Sequence, residues 1–274
     1  MDPEEVFELY GIDPVDRADC LGLLERSVRP EVGEVLARLR DQLGAFPNGP
    51  PEWESEPQAA LEAFLRFAPE IARWHRGRGI DAATSRATLA DVGRRLTLHR
   101  RTHGRFGISP WSWITWHLSG GLYQLGRLQQ GVHRQGHRLG EVAPGEVVIS
   151  LHVPATGRLQ PDDVTASLAR GPAFFRRHFG EFPVPRYATC TSWLLDPYLL
   201  ERLPPTSNIA SFAGRFTTPG EPVDAPDEAL YFVFGTRDLS KVDQLPRDTS
   251  LQRLILDRIA AGGTWQLATG YLRI

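Results

Sequence analysis

The most informative stretch of the sequence is Val147-Val-Ile-Ser-Leu-His-Val-Pro-Ala-Thr-Gly157. Its β-branched and apolar beginning predicts a strand over 147–153, its small residues predict a turn, and Pro161 suits the first turn of a helix. Backbone N–H groups at such a turn and helix N-terminus are suited to a phosphate. Asp162 and Asp163 in the first helical turn oppose an anion, because they stabilise the helix dipole themselves. The stretch therefore predicts strand followed by helix and leaves phosphate binding open.

The chain from residue 121 onward alternates short apolar runs with helical patterns. The further strand candidates are Leu122–Val132, Tyr187–Leu195, Ile209–Thr217, Ala229–Phe234 and Thr264–Ile274. The helix candidates are Pro161–Phe179 with a kink at Gly171-Pro172, Pro197–Leu203 and Ser250–Ala261, and the longest predicted loop is Thr218–Asp227. Together these runs predict a mixed β-sheet flanked by helices.

The first part of the chain carries apolar residues at helical spacing. The helix candidates are Glu31–Leu43, Pro57–Arg76, Asp81–Arg101 with Asp81 as cap, and Ser109–Leu118, with a break at Asn48-Gly49-Pro50-Pro51. The change of period near residue 120, at Gly120-Gly121, predicts a helical domain over 1–120 and a sheet domain over 121–274. The predicted fold class is α+β, with an all-helical N-terminal domain.

Composition is that of an ordinary soluble protein. The 274 residues carry a formal net charge of −2, which gives no whole-molecule attraction to nucleic acid or to anionic lipid. The chain begins without the basic and apolar pattern of a secretory signal, and no apolar run approaches the ~18 residues of a membrane span. Cys20 and Cys190 lie too far apart in sequence to indicate a disulfide framework. These features predict a cytoplasmic protein, and the near absence of lysine predicts a bacterial source.

One stretch, Val92–Gly140, is rich in basic side chains. It holds eight arginines and five of the eight histidines, and it contains no Asp or Glu. Such a stretch forms an anion-binding face, or its arginines pair with the acidic residues of the N-terminal helices. No nucleic-acid recognition motif accompanies it, so nucleic acid is a weak alternative. The pairs His99/His103 and His133/His137 stand four residues apart without a nearby third ligand, so no metal is predicted.

Three side chains outside that stretch are candidates for chemistry. His152 shares a strand face with Ser150, where a satisfied core histidine is more common than a general base. Cys190 is a possible nucleophile, but a buried structural thiol is favoured there. The phenol of Tyr198, just inside a short helix, is a possible proton donor or a half-buried packing residue.

Several stretches taken together resemble a known family. They are Gly121-Leu-Tyr-Gln-Leu-Gly-Arg-Leu-Gln129, Ser150-Leu-His-Val-Pro154, Ala188-Thr-Cys-Thr-Ser-Trp-Leu-Leu-Asp196, Ser207-Asn-Ile209 with Arg215-Phe216, Phe232-Val-Phe-Gly235 and Leu245-Pro-Arg-Asp-Thr-Ser-Leu-Gln252. They are similar to two-domain bacterial acyltransferase-like proteins, in which a helical N-terminal domain precedes a GNAT-like domain. The resemblance covers nearly the whole chain.

The resemblance implies transfer of an acyl group from acetyl-CoA or another acyl-CoA to a small-molecule or peptide amine. It implies that strands 147–153 and 187–195 splay apart around the pantetheine arm. Our hypothesis for catalysis gives His152 the role of base, directly or through water. It gives Tyr198 the role of acid, because a tyrosine in the helix after the second splayed strand resembles the superfamily's usual acid position. The implied cofactor-binding residues follow His152 along the chain: they are Val153, Ala155, Thr156, Gly157 and Arg158.

The chain departs from this family pattern at the diphosphate loop. The superfamily's form is Gln/Arg-x-x-Gly-x-Gly/Ala, whereas this chain has Ala155-Thr-Gly-Arg-Leu-Gln160. An alternative function follows from the departure, namely a catalytically degenerate GNAT-like module that binds a ligand or another protein.

Overall fold

The computed structural model describes residues 1–46 and 53–274. In the first part of the chain the helices are α1 (Pro3–Tyr10), α2 (Pro14–Leu24), α3 (Pro30–Gln42), α4 (Pro57–Gly77), α5 (Ala82–Leu89), α6 (Asp91–His103) and α7 (Ser112–Leu118). Proline begins α1 to α4, where its missing N–H costs no hydrogen bond. Side-chain caps fix several starts, including Asp81, which accepts from the Thr84 amide at the start of α5.

Helix α4 forms the centre of the helical region. Its apolar side chains, among them Leu61, Phe64 and Leu65, are completely or almost completely buried. They belong to one core with apolar residues of α1, α2 and α3. A buried carboxylate on the same helix, Glu62, is held by Arg66 at 2.9 Å. The 3.6-residue spacing of α4 thus buries most of its circumference and organises the helices around it.

The rest of the described chain forms one sheet covered by helices. Its strands are β1 (Leu122–Leu125), β2 (Leu128–Arg134), β3 (Val147–His152), β4 (Tyr187–Ser192), β5 (Val223–Asp224) and β6 (Gln266–Arg273), in the order β1-β2-β3-β4-β6-β5. The helices are α8 (Pro161–His178), α9 (Pro197–Arg202), α10 (Asn208–Ala213), α11 (Glu228–Phe234) and α12 (Ser250–Ala260). Helix α8 crosses from β3 to β4, which pair in parallel, while the other described strand pairs are antiparallel.

The two faces of the sheet are packed differently. Ile149 and Leu151 belong to the main core with Phe175 of α8 and Ile255 of α12. The opposite face carries a small cluster around Val148 and, beyond it, polar side chains. The alternation along β3 agrees with the predicted placement of His152 opposite Ile149 and Leu151.

The predicted α+β arrangement agrees with these elements, and most helix predictions are confirmed within one turn. The predicted helix Asp81–Arg101 is wrong in one respect, because it is divided at Ala90 into α5 and α6. The predicted strand Leu122–Val132 is also wrong as a single strand. Gly126, at φ +82°, turns it into the hairpin of β1 and β2. The predicted break at Asn48-Gly49-Pro50-Pro51 lies outside the described residues.

Two strand predictions are wrong and one strand was missed. The predicted strands Ile209–Thr217 and Ala229–Phe234 are largely the helices α10 and α11. Ser207 caps α10 by accepting from the Ala210 amide, and Gly235 ends α11 at φ +73°. The short strand β5 lies inside the segment predicted to be a loop. At the predicted kink of Gly171-Pro172, helix α8 does not end but continues to His178.

Gly93 tests the packing of α1 against α6. A Cβ atom at Gly93 would overlap the carbonyl oxygen of Gly11, so Gly93→Ala must push the two helices apart. We expect this substitution to lower the free energy of unfolding by about 2 kcal/mol or more, measured by urea unfolding. Gly33→Ala is the matched control, because nothing lies within 4 Å of its added methyl, and we expect it to be neutral or slightly stabilising. Equal stability of both variants would contradict the packing argument.

Candidate functional site

The central feature of the site is the divergence of β3 from β4. The two strands pair at Ile149 with Ala188 and at Ser150 with Thr189, and their ladder ends there. Beyond that point β3 continues to pair with β2, and β4 continues to pair with β6. The facing edges of β3 and β4 therefore carry backbone polar groups that are not paired with each other, at the end of the sheet where both strands terminate.

The loop that follows β3 holds every residue predicted to bind the cofactor. Within it, Ala155–Arg158 is exposed, and Gly157 has φ +70°. The guanidinium of Arg127 lies behind this loop and donates to the carbonyl oxygens of Pro154 at 3.0 Å, Gly157 at 3.1 Å and Arg158 at 2.9 Å. Although the glycine pattern that the resemblance implies is missing, a side chain from the β1–β2 turn holds the loop in one conformation.

His152 ends β3 and faces the helical region. Its ring packs edge-on against both Trp113 and Trp116 of α7, with ring-centroid distances of 5.1 Å and 4.8 Å. Its Nε2 atom is buried and has no hydrogen-bond partner among the described residues. Burial lowers the pKa of His152 to about 3, and the nearby His117 and His133 lower it further. The imidazole is therefore neutral at physiological pH and has a free lone pair or N–H at Nε2.

The buried carboxylate of Asp91 lies near His117, one of the two histidines close to His152. Gln129 of β2 donates to Asp91 at 3.2 Å, and Arg94 pairs with the same carboxylate at 2.9 Å. Burial alone would raise the pKa of Asp91, but His117, Arg95 and Arg94 outweigh it and hold the pKa below its ordinary value. The Nε2 atom of His117 lies 3.9 Å from Asp91, too far for a direct hydrogen bond. This group joins α6 and α7 to the sheet face that carries His152.

Tyr198 lies in α9, soon after the end of β4. Asp196 caps the helix, accepting from the Tyr198 amide at 2.8 Å and from Arg258 at 2.8 Å. Two guanidinium groups lie against the Tyr198 ring. The Cζ atom of Arg202 is 3.6 Å from the ring centroid, and that of Arg258 is 3.9 Å from it. Its hydroxyl makes no hydrogen bond within the described part of the chain. Two cations thus hold the ring in place, while its hydroxyl is available to a ligand.

The structure places His152, Tyr198 and the loop at the same end of the sheet. His152 contacts α7, whereas Tyr198 contacts α12 and neighbouring residues, so the two side chains are not in contact. Sequence reasoning missed Trp113, Trp116 and Arg127, which all lie in the basic stretch 92–140. The absence of acidic residues marks that stretch as basic, but it does not indicate the contacts of Arg127 or of the two tryptophans.

Some arginines of the basic stretch 92–140 form salt bridges with acidic residues of the N-terminal helices. Arg100 pairs with Asp16 and Asp19 of α2, and Arg94 pairs with Asp91. These contacts favour the interpretation of paired arginines over a continuous anion-binding face for that part of the stretch.

Cys190 lies in β4 on the main-core side of the sheet. Its side chain is buried, and burial raises the pKa of its thiol to about 12. The thiol is therefore protonated at neutral pH, which favours the structural interpretation over a nucleophile.

Residues 1–46 and 53–274 contain no group of three His, Cys, Asp or Glu side chains that could hold a metal ion. None of the helices described there is long and apolar enough to cross a membrane.

Two family models match the chain. The model of the N-acyltransferase N-terminal domain matches residues 1–120, and that of the GNAT-like C-terminal domain matches residues 122–272. The chain belongs to this GNAT-like acyltransferase family. No curated protein matches the chain.

Solved acyltransferase structures are similar to this GNAT-like chain over its whole length. One, in complex with decanoyl-CoA and teicoplanin, is 29% identical with a TM-score of 0.79, covering 100% of this chain and 99% of the other. A second, in complex with decanoyl-CoA, is 28% identical with a TM-score of 0.77 and covers 100% of both chains. A third, in complex with CoA and 10C-Teicoplanin, is 29% identical with a TM-score of 0.79, covering 100% of this chain and 99% of the other. The expected acyl-CoA co-substrate is confirmed for the family by these neighbours.

Neutral histidines with enclosed ring nitrogens make the free energy of unfolding depend on pH. An unfolded histidine titrates near 6.5, whereas burial lowers the pKa of His152 to about 3 and that of His75 to about 4. Below pH 6.5 the unfolded chain binds protons that the folded chain does not, so acidification toward pH 4 lowers the free energy of unfolding. Between pH 7 and pH 5 each histidine contributes about 2 kcal/mol to this loss.

In the His152→Gln variant, we expect the free energy of unfolding to fall by about 2 kcal/mol less between pH 7 and pH 5 than in the wild type, measured by urea unfolding. His137→Gln, which alters an exposed histidine, should leave the loss unchanged. Equal losses in the wild type and His152→Gln would contradict the neutral state of the His152 imidazole.

Proposed function

We propose that this protein transfers an acyl group from an acyl-CoA to the amine of a small-molecule or peptide acceptor. The observation that carries the proposal is the divergence of β3 from β4 after Ser150 and Thr189. The 28–29% identity to acyltransferases solved with decanoyl-CoA supports it. Because one of these neighbours holds teicoplanin, a glycopeptide amine is the first acceptor class to test, with a medium-length acyl chain.

The residues of the divergence fit such a co-substrate. Acyl-CoA supplies an acyl group activated as a thioester. The free edges of β3 and β4 provide backbone donors and acceptors for a pantetheine arm, which contains amides. Val153 begins the loop after β3, and Ala155, Thr156, Gly157 and Arg158 present exposed backbone and side-chain groups to the diphosphate.

His152 is the proposed base. Its Nε2 atom has no partner in the described structure. We propose that it takes a proton from the incoming ammonium, directly or through water, once acceptor binding has opened its contact with Trp113 and Trp116, because the enclosed imidazole, with a pKa of about 3, is too weak a base. The resulting amine nitrogen then forms its bond to the acyl carbon with its own electron pair. His152 afterwards releases its proton to solvent.

Tyr198 is the proposed acid. Its hydroxyl gives a proton to the sulfur as the carbon–sulfur bond breaks, and it recovers a proton from the nitrogen of the new amide. The net products are an amide, the free thiol of CoA and the proton released by His152. Arg202 and Arg258 fix the ring on both faces, which keeps the hydroxyl in place between turnovers.

The competing function is a degenerate GNAT-like module that binds a ligand or another protein. The departure of residues 155–160 from the superfamily's glycine pattern favours it. Under either function we propose a boundary after residue 120 between a helical and a sheet domain.

Calorimetric titration separates the two functions. We expect micromolar binding of acetyl-, octanoyl- or decanoyl-CoA and of desulfo-CoA at two salt concentrations. Release of free thiol on adding an amine, followed spectrophotometrically, then tests transfer. Absence of binding by every CoA derivative would favour the degenerate module.

Substitution of the proposed base and acid tests the mechanism. We expect His152→Ala and Tyr198→Phe each to lower kcat roughly 10²–10⁴-fold, measured as thiol release. His137→Ala at an exposed position and Tyr187→Phe at the opposite end of β4 are the matched controls and should retain wild-type kcat. Turnover within a few-fold of wild type in both test variants would remove the assignment.

A further inference from the structure

Arg127 is the side chain on which the loop after β3 depends. It lies in the two-residue turn between β1 and β2 and is half-buried. Its Nε donates to the carbonyl oxygen of Arg158, and its two terminal nitrogens donate to those of Pro154 and Gly157. Every one of these bonds is charge-assisted, so the guanidinium holds the loop more firmly than neutral donors would. We call residues 154–158 the clasped loop.

The hydrogen bonds from Arg127 determine the direction of the backbone N–H groups in the clasped loop. The peptide bonds of the loop are trans, so the N–H that follows each carbonyl points away from it. Because the carbonyls of Pro154, Gly157 and Arg158 point toward Arg127, the N–H groups of residues 155, 158 and 159 point away from the guanidinium. None of these N–H groups donates to a backbone acceptor in the described part of the chain. A set of free, similarly directed amides is what a glycine-rich loop offers to a phosphate.

Arg127 also acts on the charge of this region. Asp162 and Asp163 lie in the first turn of α8, next to the loop. The Asp163 carboxylate interacts electrostatically with the Arg127 guanidinium. The arginine therefore offsets part of the negative charge that would otherwise repel an anionic ligand.

We propose that Arg127 is a positioning residue that shapes the clasped loop to bind the diphosphate of CoA, in place of the glycines that the superfamily uses. The inference rests on the proposed function, because it assigns the diphosphate to this loop. Arg127 does not touch the reacting atoms, so its substitution affects affinity for the nucleotide part of the donor. Lysine cannot replace it, because one ammonium cannot reproduce the planar fork of donors.

The test compares donors with and without the diphosphate. In Arg127→Gln and Arg127→Lys we expect the KM for acyl-CoA to rise at least tenfold while kcat stays within threefold of wild type. The KM for the matching acyl-pantetheine, which lacks the diphosphate, should not change. The Kd for desulfo-CoA, measured by calorimetry, should rise by the same factor as the KM for acyl-CoA. Arg177→Gln, at an exposed arginine near the C-terminal end of α8, is the control and should behave as wild type.

The outcomes separate this inference from the proposed function. If the wild type binds desulfo-CoA and the Arg127 variants bind it equally well, the inference fails while the proposed function stands. If the variants lose acyl-CoA and acyl-pantetheine turnover together, Arg127 has a general structural role and the inference is again overturned. If the wild type does not bind desulfo-CoA, both proposals fail.

Discussion

The arrangement of this molecule depends on one parallel strand pair inside an otherwise antiparallel sheet. A parallel neighbour requires a crossover, and α8 supplies it between β3 and β4. The crossover places the loop after β3 and the beginning of α8 at the end of the sheet where β4 also ends. Because each strand keeps its antiparallel partner on the outer side, the two can separate without disrupting the sheet. The candidate site is a consequence of this topology.

The sequence predicted the elements whose signal is local. Strands β3, β4 and β6 follow from β-branched and aromatic runs, and α4 follows from a long apolar stripe. The runs Ile209–Thr217 and Ala229–Phe234 were assigned wrongly, because a short apolar run suits a buried helix as well as a strand. Their capping residues decide for helix, since Ser207 satisfies an otherwise free amide and Gly235 adopts a left-handed conformation.

The candidate site was predictable where its residues adjoin the strand ends. His152 and the loop after it follow directly from the strand and turn signals in 147–157. The Trp113 and Trp116 rings on His152 come from another part of the fold, and aromatic residues at helical spacing do not show what they will cover. The contacts of Arg127 were equally hidden, because backbone carbonyl acceptors exist at every position and leave no mark in the sequence.

The state of the cysteines bears on how the protein would tolerate its own product. In the proposed reaction every turnover liberates a thiol next to β4, where Cys190 lies. Thiol–disulfide exchange requires an accessible thiolate, whereas Cys190 is buried and burial raises its pKa to about 12. Cys20 is equally enclosed, and its pKa is also raised to about 12. If CoA released in the proposed reaction is oxidised to its disulfide, neither cysteine therefore offers it an accessible thiolate for a mixed disulfide.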